Sequence, residues 1–311
     1  MIAFGPVPSR RLGQSLGINN IPPKVCTYSC VYCQIGRTIK MDVHRKEYYN
    51  WDKILDDVRI KIRKVQESGE TIDYITFVPD GEPTLDINLG REIEALGKFG
   101  IKIAVITNSS LLWRDDVRQE LLNTNLVSVK VDSTQEKIWQ KINRPHPGLK
   151  LEYILNGILE FARVYQGDLI TETMLVKDMN DGESHVNDIA RFISEVEPVN
   201  AYLAIPTRPP AELETQSPDE GVLNQCYQIF NDYIGHVEYL IGYEGNAFAY
   251  TGNVEEDILS ITAVHPMRED AVRKLLSCSN AGWELINKLI AEEKLIEIIY
   301  KNQHFYLRKI G

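Results

Sequence analysis

The segment Cys26-Thr-Tyr-Ser-Cys30-Val-Tyr-Cys33 places three of the chain's five cysteines within eight residues. The other two, Cys226 and Cys278, lie far from it in sequence. Thiolates are soft ligands that suit iron–sulfur clusters and zinc. Three thiolates can bind three irons of a [4Fe–4S] cube, which leaves the fourth iron open to another ligand. The spacing therefore predicts a cluster that does chemistry rather than one that only carries electrons.

Two other interpretations of these cysteines are weaker. A structural zinc site needs four ligands, commonly from two C-x2–4-C pairs. His44 is the nearest candidate for a fourth ligand, and no second pair accompanies it. Simple burial of small apolar thiols is the third possibility. The spacing favours the open cluster over both.

The composition of the chain excludes several classes of protein. The net charge of −10 over 311 residues argues against a diffuse basic surface for nucleic acid, although a local patch stays possible. No apolar run reaches the roughly 18 residues of a membrane span, and no secretion signal is evident at the N-terminus. The odd cysteine count argues against a disulfide framework. We expect a cytoplasmic protein without a membrane partner.

Six β-rich runs alternate with helical patterns over the first 206 residues. Such alternation predicts parallel strands joined by right-handed crossovers, with ligands at the carboxyl ends of the strands. Polar residues and glycine follow the strands there, notably Gly81, Glu82, Asn108, Asp132 and Lys177. The predicted strands are Ser15–Ile18, Asp73–Val78, Ile101–Thr107, Leu126–Val131, Thr171–Val176 and Asn200–Ile205.

The last part of the chain has a different pattern. Three prolines mark Thr207–Glu220 as a connector, and a helix is predicted at Gly221–Tyr233. Helices at Glu269–Leu276 and Asn280–Glu293, the second capped by Asn280, precede two β runs. Helix, turn, helix and hairpin is the order of a winged-helix domain. The predicted division is a barrel at 1–208, a connector with a helix at 209–255 and a winged-helix-like domain at 256–311.

The pattern C-x3-C-x-Φ-C, with the aromatic Tyr32 before the last cysteine, resembles the signature of radical S-adenosylmethionine (SAM) enzymes. The resemblance implies a [4Fe–4S] cluster on Cys26, Cys30 and Cys33 whose open iron is chelated by SAM. It also implies reductive cleavage of SAM to a 5′-deoxyadenosyl radical, with an electron donor of the flavodoxin or ferredoxin type. Tyr32 would lie against the adenine. The superfamily fold, a partial (β/α)6 TIM-like barrel, agrees with the α/β class and the six strands predicted above.

The same resemblance suggests the SAM contacts. Asp80-Gly81-Glu82 stands where the family has Gly-Gly-Glu, whose backbone carbonyls bind the ammonium group of SAM, and Asp80 departs from that pattern. Asn108 would contact the amino-acid part of SAM, and Asp132 either SAM or the substrate. An ordinary Asp-Gly turn and helix capping by Asn108 and Asp132 are the alternatives.

Four cationic residues add less specific predictions. Lys130 shares its side of the strand with Asp132, and it would contact a substrate or carboxylate, or else form an ion pair. Lys177 would lie in a loop near the adenosine. Arg10 and Arg11 would either contact phosphate or brace the bottom of the barrel.

The wider sequence resembles a subgroup related to wyosine base synthases, which modify a guanosine in transfer RNA. The resemblance lies in Gln34-Ile-Gly-Arg-Thr38 and Gly81-Glu-Pro-Thr-Leu85. Those enzymes carry a second cluster on three further N-terminal cysteines, and residues 1–25 contain none. We therefore do not expect two-cluster chemistry.

Three functional hypotheses follow. The favoured one is a radical SAM enzyme acting on a peptide, a protein or RNA such as tRNA. The second acts on a small metabolite and uses the winged helix for dimerisation. The third is a non-enzymatic regulator that senses redox state and binds DNA. Residues 266–311 hold eight Lys and Arg against six acids, which is weak support for nucleic acid, so protein contact is preferred for that domain.

Overall fold

The computed structural model describes residues 2–78, 80–241, 248 and 250–309. Pro79 of the strand-end motif, residues 242–247 and 249 of the predicted connector, and the last two residues of the predicted C-terminal domain lie outside the described residues. In the described part of the chain, no helix is both long and apolar enough to cross a membrane.

The first part of the chain alternates strands and helices. The strands are β1 (Ala3–Ser9), β2 (Gly13–Ile18), β3 (Val25–Cys26), β4 (Lys40–Met41), β5 (Tyr74–Phe77), β6 (Lys102–Thr107), β7 (Leu126–Lys130), β8 (Asp168–Met174), β9 (Asn200–Ala204) and β10 (Val237–Leu240). The helices are α1 (Trp51–Glu67), α2 (Leu89–Gly97), α3 (Asp115–Leu121), α4 (Glu136–Asn143), α5 (Leu151–Val164), α6 (Glu183–Val196) and α7 (Glu220–Tyr233). A 3-10 turn at Pro83–Leu85 follows β5.

Eight of the described strands form one curled sheet, a half barrel, in the order β1-β2-β5-β6-β7-β8-β9-β10. β1 pairs antiparallel with β2, and each later neighbour pairs parallel. All six predicted strands are present, and the predicted partial TIM-like barrel is confirmed. β1 and β10 were not predicted. β1 contains Gly5, Pro6 and Pro8, which disfavour a central strand but are tolerated at a sheet edge.

A small apolar cluster closes one end of the half barrel. Leu12, from the β1–β2 turn, packs with Ala104, Leu126, Ile170 and Tyr202. These residues lie in the first halves of their strands, so the cluster fills the amino-terminal end of the sheet. The carboxyl ends are left for ligands, as is usual in parallel β/α folds.

The C-terminal part forms a second core. Its elements are α8 (Val254–Val264), β11 (Met267–Arg268), α9 (Glu269–Cys278), α10 (Glu284–Ala291), β12 (Leu295–Tyr300) and β13 (Gln303–Arg308), with sheet order β11-β13-β12. The expected helix–helix–hairpin order is present, while assignment to the winged-helix family stays a prediction. α8 was not predicted. Asn280 does not cap α10, because it adopts a left-handed φ of 53° just after α9, and α10 begins only at Glu284.

The C-terminal part is anchored to the barrel by a buried ion pair. The ammonium of Lys61, on α1, lies 3.0 Å from Asp257 Oδ1 and 2.9 Å from Thr251 Oγ1. Lys61 and Asp257 are both buried, and α8 packs beside β1. The predicted boundary near residue 255 therefore crosses a tightly packed contact.

Candidate functional site

The cysteine loop follows β2 and is held on both sides by backbone hydrogen bonds. On one side, β3, which contains Cys26, pairs with β4. On the other side, Ser29 N–H donates to the Asn143 carbonyl (3.0 Å) and Val31 N–H donates to the Ile142 carbonyl (2.9 Å) at the end of α4. The indole N–H of Trp139 donates to the Tyr28 hydroxyl at 3.2 Å. These contacts fix the positions of the three thiols before any ligand binds.

Two asparagine side chains point N–H groups at the cysteine sulfurs. Asn108 Nδ2 lies 3.4 Å from Cys26 Sγ, and Asn143 Nδ2 lies 3.4 Å from Cys30 Sγ. Burial, together with the Asp132 carboxylate, raises the pKa of the Cys30 thiol to about 12. Burial and the Glu82 carboxylate also raise the pKa of Cys26. The thiols therefore stay neutral until a bound cation compensates their charge.

Gly81 lies where the end of β5 touches the cysteine loop. A Cβ atom at this position would lie 1.8 Å from the carbonyl oxygen of Val25, the residue before Cys26. Lys24 N–H donates to the Asp80 carbonyl at 2.6 Å, and Glu82 N–H donates to the Val25 carbonyl at 3.2 Å. The two backbone segments are thus as close as a glycine allows.

Glu82 connects the ends of two neighbouring strands. Its fully buried carboxylate accepts hydrogen bonds from the Thr107 hydroxyl and the Asn108 N–H, both at 2.7 Å, and from the Thr84 N–H at 3.0 Å. Burial raises its pKa, and these donors oppose that rise. Glu82 therefore positions Asn108 from behind the cavity.

Asp80 is buried beside the site without a hydrogen-bonding partner for its side chain. The residue is 1% exposed, and neither carboxylate oxygen has a partner among the described residues. Burial raises its pKa to about 7, although the positive charges of Arg308 and Lys24 oppose this rise. The side chain that departs from the family pattern thus faces a cation from β13.

Asp132 orients the residues around the last cysteine. Its carboxylate accepts hydrogen bonds from the Tyr32 hydroxyl, from Asn143 Nδ2 at 2.7 Å and from Met174 N–H at 2.9 Å. It does not cap α4, because Gln135 is the residue that precedes that helix. Asn108 does not cap α3 either, since its side-chain oxygen Oδ1 accepts the Ser110 N–H at 3.0 Å in a turn well before that helix.

Three charged groups, of which Glu172 is buried and Arg11 and Lys130 are partly buried, lie on the inner face of the sheet. Glu172 on β8 pairs with Lys130 at 2.8 Å and with Arg11 from the β1–β2 turn. Burial alone would raise the pKa of Glu172, but the two cations lower it to about 2. Burial alone would lower the pKa of Lys130, but Glu172 and then Asp132 raise it above its ordinary value. Glu172 and Lys130 are therefore both charged at neutral pH, and two cations share the Glu172 carboxylate.

Two adjoining cavities open at the carboxyl ends of the strands. The first has a volume of about 200 Å³. Its lining includes Cys26, Cys30, Cys33, Tyr32, Asp80, Gly81, Asn108 and Lys130. The second, of about 270 Å³, extends deeper into the sheet between Arg10, Arg11, Glu172 and Arg208. Tyr32, Cys33 and Lys130 line both, so the cavities meet beside the cysteine loop.

The structure brings most of the predicted site residues together. Glu82 and Asp132 line neither of these two cavities. They accept hydrogen bonds from residues that do, namely Asn108 and Tyr32. Lys177 lies elsewhere, because its exposed ammonium pairs with Asp219 at 2.8 Å. This surface pairing does not support the expectation that Lys177 lies near the adenosine.

Sequence reasoning missed two contributors to the site. Asn143 is the last residue of α4, and no local signal in the sequence links it to Cys30. Val264, at the end of α8, lines the first cavity, and its carbonyl accepts a hydrogen bond from Gln34 Nε2 at 3.1 Å. The C-terminal part therefore supplies a portion of the cavity wall.

Comparisons with known proteins agree with this geometry. A family model described as the radical SAM superfamily matches residues 20–193. The UPF0026 protein of Methanocaldococcus jannaschii is 51% identical over 99% of this chain and 96% of that protein. The structure of TYW1 with a lysine-pyruvate adduct bound matches with a TM-score of 0.55 at 14% identity, over 71% of this chain and 74% of that one. Streptococcus suis SuiB bound to precursor peptide SuiA matches with a TM-score of 0.53 at 12% identity, over 72% and 48% of the two chains. At such identities, these two structures show a common fold only.

The residues present fit the cofactors of that superfamily, a [4Fe–4S] cluster and SAM. Three thiols share one cavity, and amide N–H groups contact two of their sulfurs. Among the described residues, no three His, Cys, Asp or Glu side chains converge closely enough to hold a single metal ion. Sulfurs that are spread around a cavity suit a cube of four irons, in which three irons each take one of these thiolates and the fourth is open to another ligand. The geometry thus favours a cluster over a single zinc ion.

Proposed function

Because this chain belongs to the radical SAM superfamily, we propose that it is an enzyme that binds a [4Fe–4S] cluster through Cys26, Cys30 and Cys33. When bound, the cluster and SAM supply a 5′-deoxyadenosyl radical, which takes a hydrogen atom from the substrate. The observation that carries the proposal is the convergence of three thiols, the Gly81 backbone and Asn108 on one cavity.

Several of the chain's own groups would hold SAM in this cavity. The Asp80 carbonyl already accepts the Lys24 N–H, so the Gly81 carbonyl is the better candidate for the ammonium group of SAM. Asn108 stands beside Cys26, close to where the amino-acid part would bind the open iron. Tyr32 lines the cavity with its hydroxyl held by Asp132, and its ring would border the adenosine.

Electron supply and substrate choice are proposed at a coarser level. A flavodoxin-type or ferredoxin-type donor would reduce the cluster. The substrate would be a peptide, a protein or RNA, recognised in part by the C-terminal winged-helix-like domain. Glu284, at the start of α10, and Glu292, just after its end, would repel phosphates, which favours a protein contact for that domain.

A small metabolite is the second candidate substrate. The inner cavity of about 270 Å³ extends from the cysteine loop to the β1–β2 turn, where Arg10 donates a hydrogen bond to the Tyr239 carbonyl on β10 at 3.2 Å. This contact connects the β1–β2 turn, at one edge of the curled sheet, with β10 at the other edge, next to the cavity. A small compound could therefore be enclosed there. Deleting residues 256–311 bears on this choice if the shortened chain folds, because turnover of a macromolecule should need that domain.

Anaerobic reconstitution tests the proposed function. We expect about four irons per chain and slow release of 5′-deoxyadenosine from SAM after chemical reduction. Cys26→Ala, Cys30→Ala and Cys33→Ala should each lose iron and this release. Cys226→Ala and Cys278→Ala are matched controls, because neither residue lines the cavity. Stoichiometric zinc in place of iron, or iron retained in all three variants, would contradict the proposal.

A further inference from the structure

The inner cavity carries an excess of positive charge in a chain whose net charge is −10. Among the described residues, its lining includes the three cations Arg10, Arg11 and Lys130 together with the carboxylate of Glu172. Asp132 also stabilises the Lys130 charge, but its oxygens accept hydrogen bonds from Tyr32, Asn143 and Met174 and face none of this cavity. The positive lining is therefore a local feature of this cavity rather than of the whole surface.

The excess charge lies among buried groups. The side chains of Arg11, Lys130 and Glu172 are 13%, 21% and 11% exposed, and two cations share one carboxylate. An unbalanced charge away from water is costly unless a counter-charge accompanies it. In addition, the buried Nε–H of Arg11 has no acceptor among the described residues. A protein that keeps such a group gains stability when an anion binds beside it.

The position of these charges relates them to the reaction. Lys130 lines both cavities, with its ammonium 4.8 Å from the centre of the Tyr32 ring. Arg11 lies beside Lys130, because both cations pair with the Glu172 carboxylate, and Arg11 also contacts Ser128. An anionic group bound by these two cations would leave the rest of the substrate to extend toward the rim that the two cavities share.

We propose that the inner cavity is a substrate subsite that binds an oxyanion, a carboxylate or a phosphate, through Lys130 and Arg11, with Arg10 at its edge. This inference rests on the proposed function and narrows the substrate to compounds or chain segments that carry such a group. Glu172 holds the two cations side by side and limits their attraction for an anion. Removing Glu172 should therefore strengthen anion binding, whereas removing either cation should weaken it.

The test measures binding without turnover. Isothermal titration of the reconstituted, SAM-bound protein with inorganic phosphate, and separately with succinate, is carried out at constant ionic strength. Lys130→Met and Arg11→Met should each weaken binding by about tenfold or more, since each removes a charged partner. Glu172→Gln should strengthen it several-fold. Lys288→Met and Glu160→Gln, which change exposed ion pairs far from the cavity by the same charges, are the matched controls.

Thermal unfolding is the second measurement, in case a variant folds poorly. Glu172→Gln leaves Lys130 and Arg11 unpaired, so added anion should raise its melting temperature more than that of the unmodified protein. Preferential binding of phosphate supports the subsite and indicates that the substrate carries a phosphate, as a phosphorylated compound or a nucleotide does. Preferential binding of succinate supports it with a carboxylate substrate.

Two results separate this inference from the proposed function. A preparation that releases 5′-deoxyadenosine but binds neither probe at millimolar concentration overturns the subsite alone. A preparation that binds a probe with the expected order of variants, but releases no 5′-deoxyadenosine, contradicts the enzyme function alone. Equal affinity in Lys130→Met, Glu172→Gln and the unmodified protein would also overturn the subsite.

Discussion

Replacing Gly81 by alanine tests whether backbone contact between β5 and the cysteine loop builds the site. The added Cβ would lie 1.8 Å from the Val25 carbonyl oxygen and 2.8 Å from its carbon. Both neighbours are backbone atoms, so no side-chain rotation can relieve the overlap. The loop must shift, which costs about 1–3 kcal/mol for overpacking. The shift also weakens the Lys24–Asp80 and Glu82–Val25 backbone hydrogen bonds, each contributing about 0.5–1.5 kcal/mol.

The free energy of unfolding of Gly81→Ala should therefore fall by about 2–6 kcal/mol, the sum of these two costs. Urea unfolding of the apo protein measures it, and iron content after reconstitution should fall with it. Gly221→Ala is the matched control, because no heavy atom lies within 4 Å of its added Cβ. That change, in the first turn of α7, should be neutral or slightly stabilising. Unchanged stability and iron content in Gly81→Ala would refute the argument.

Three further predictions concern groups behind the site. Lys61→Met leaves the Asp257 carboxylate buried without its ammonium partner. Urea unfolding should therefore show a loss of about 3–5 kcal/mol in the free energy of unfolding. Lys64→Met, which removes a more exposed ion pair with Glu256, is the control and should change the free energy of unfolding by less than about 1 kcal/mol. Burial, with Asp86 and Glu120 nearby, raises the pKa of Glu92 to about 9. The stability that Glu92 contributes is then present below its ordinary pKa and lost as pH rises toward 9. The free energy of unfolding of Glu92→Gln should therefore increase relative to that of the unmodified protein between about pH 5 and pH 9. The same pH dependence of the unfolding free energy in both proteins, measured by urea unfolding, would disprove this. Asn143→Leu removes the N–H group near the Cys30 sulfur. A redox titration followed by electron paramagnetic resonance should therefore give a more negative cluster potential than in the partly exposed control Asn187→Leu, and equal potentials would count against that contact.

Much of the barrel could be predicted because its signals are local. Alternating β-rich and helical runs reveal six strands, and each run carries its own evidence in a few consecutive residues. β1 gives the opposite signal, since its prolines and glycine suggest an irregular segment. It forms a strand because it lies at the edge of the sheet, where a missing backbone N–H is tolerated. That position is set by the tertiary fold and cannot be read from the segment alone.

The site was predictable where function follows from position along a strand. Gly81, Asn108 and Lys130 come at strand ends, and the structure places all three on the cavity. Lys177 also follows a strand, but the loop after β8 turns outward and its ammonium pairs with Asp219, next to α7. The position of the Lys177 side chain depends on a residue next to a helix more than forty residues away, and no local sequence pattern indicates that contact.

The C-terminal part, which the sequence predicts as a domain of its own, also borders the cysteine cavity. The sequence suggested a separable recognition domain after residue 255, with every SAM contact in the barrel. In the structure, however, Val264 borders the cysteine cavity, and Gln34, next to Cys33, donates a hydrogen bond to its carbonyl. The positive charge of Arg308, on the last strand, opposes the rise that burial causes in the pKa of Asp80.

These contacts place the C-terminal part at the entrance to the site as well as beside the barrel. A third cavity of about 180 Å³ lies between Lys24 and Gly36 of the cysteine loop and Ile296 and Arg308 of the C-terminal sheet. Any shift of that sheet would change access to the cysteines and the field around Asp80 together. If the C-terminal part recognises the substrate as proposed, recognition and formation of the cofactor site share the same contacts, and removing residues 256–311 should disturb both.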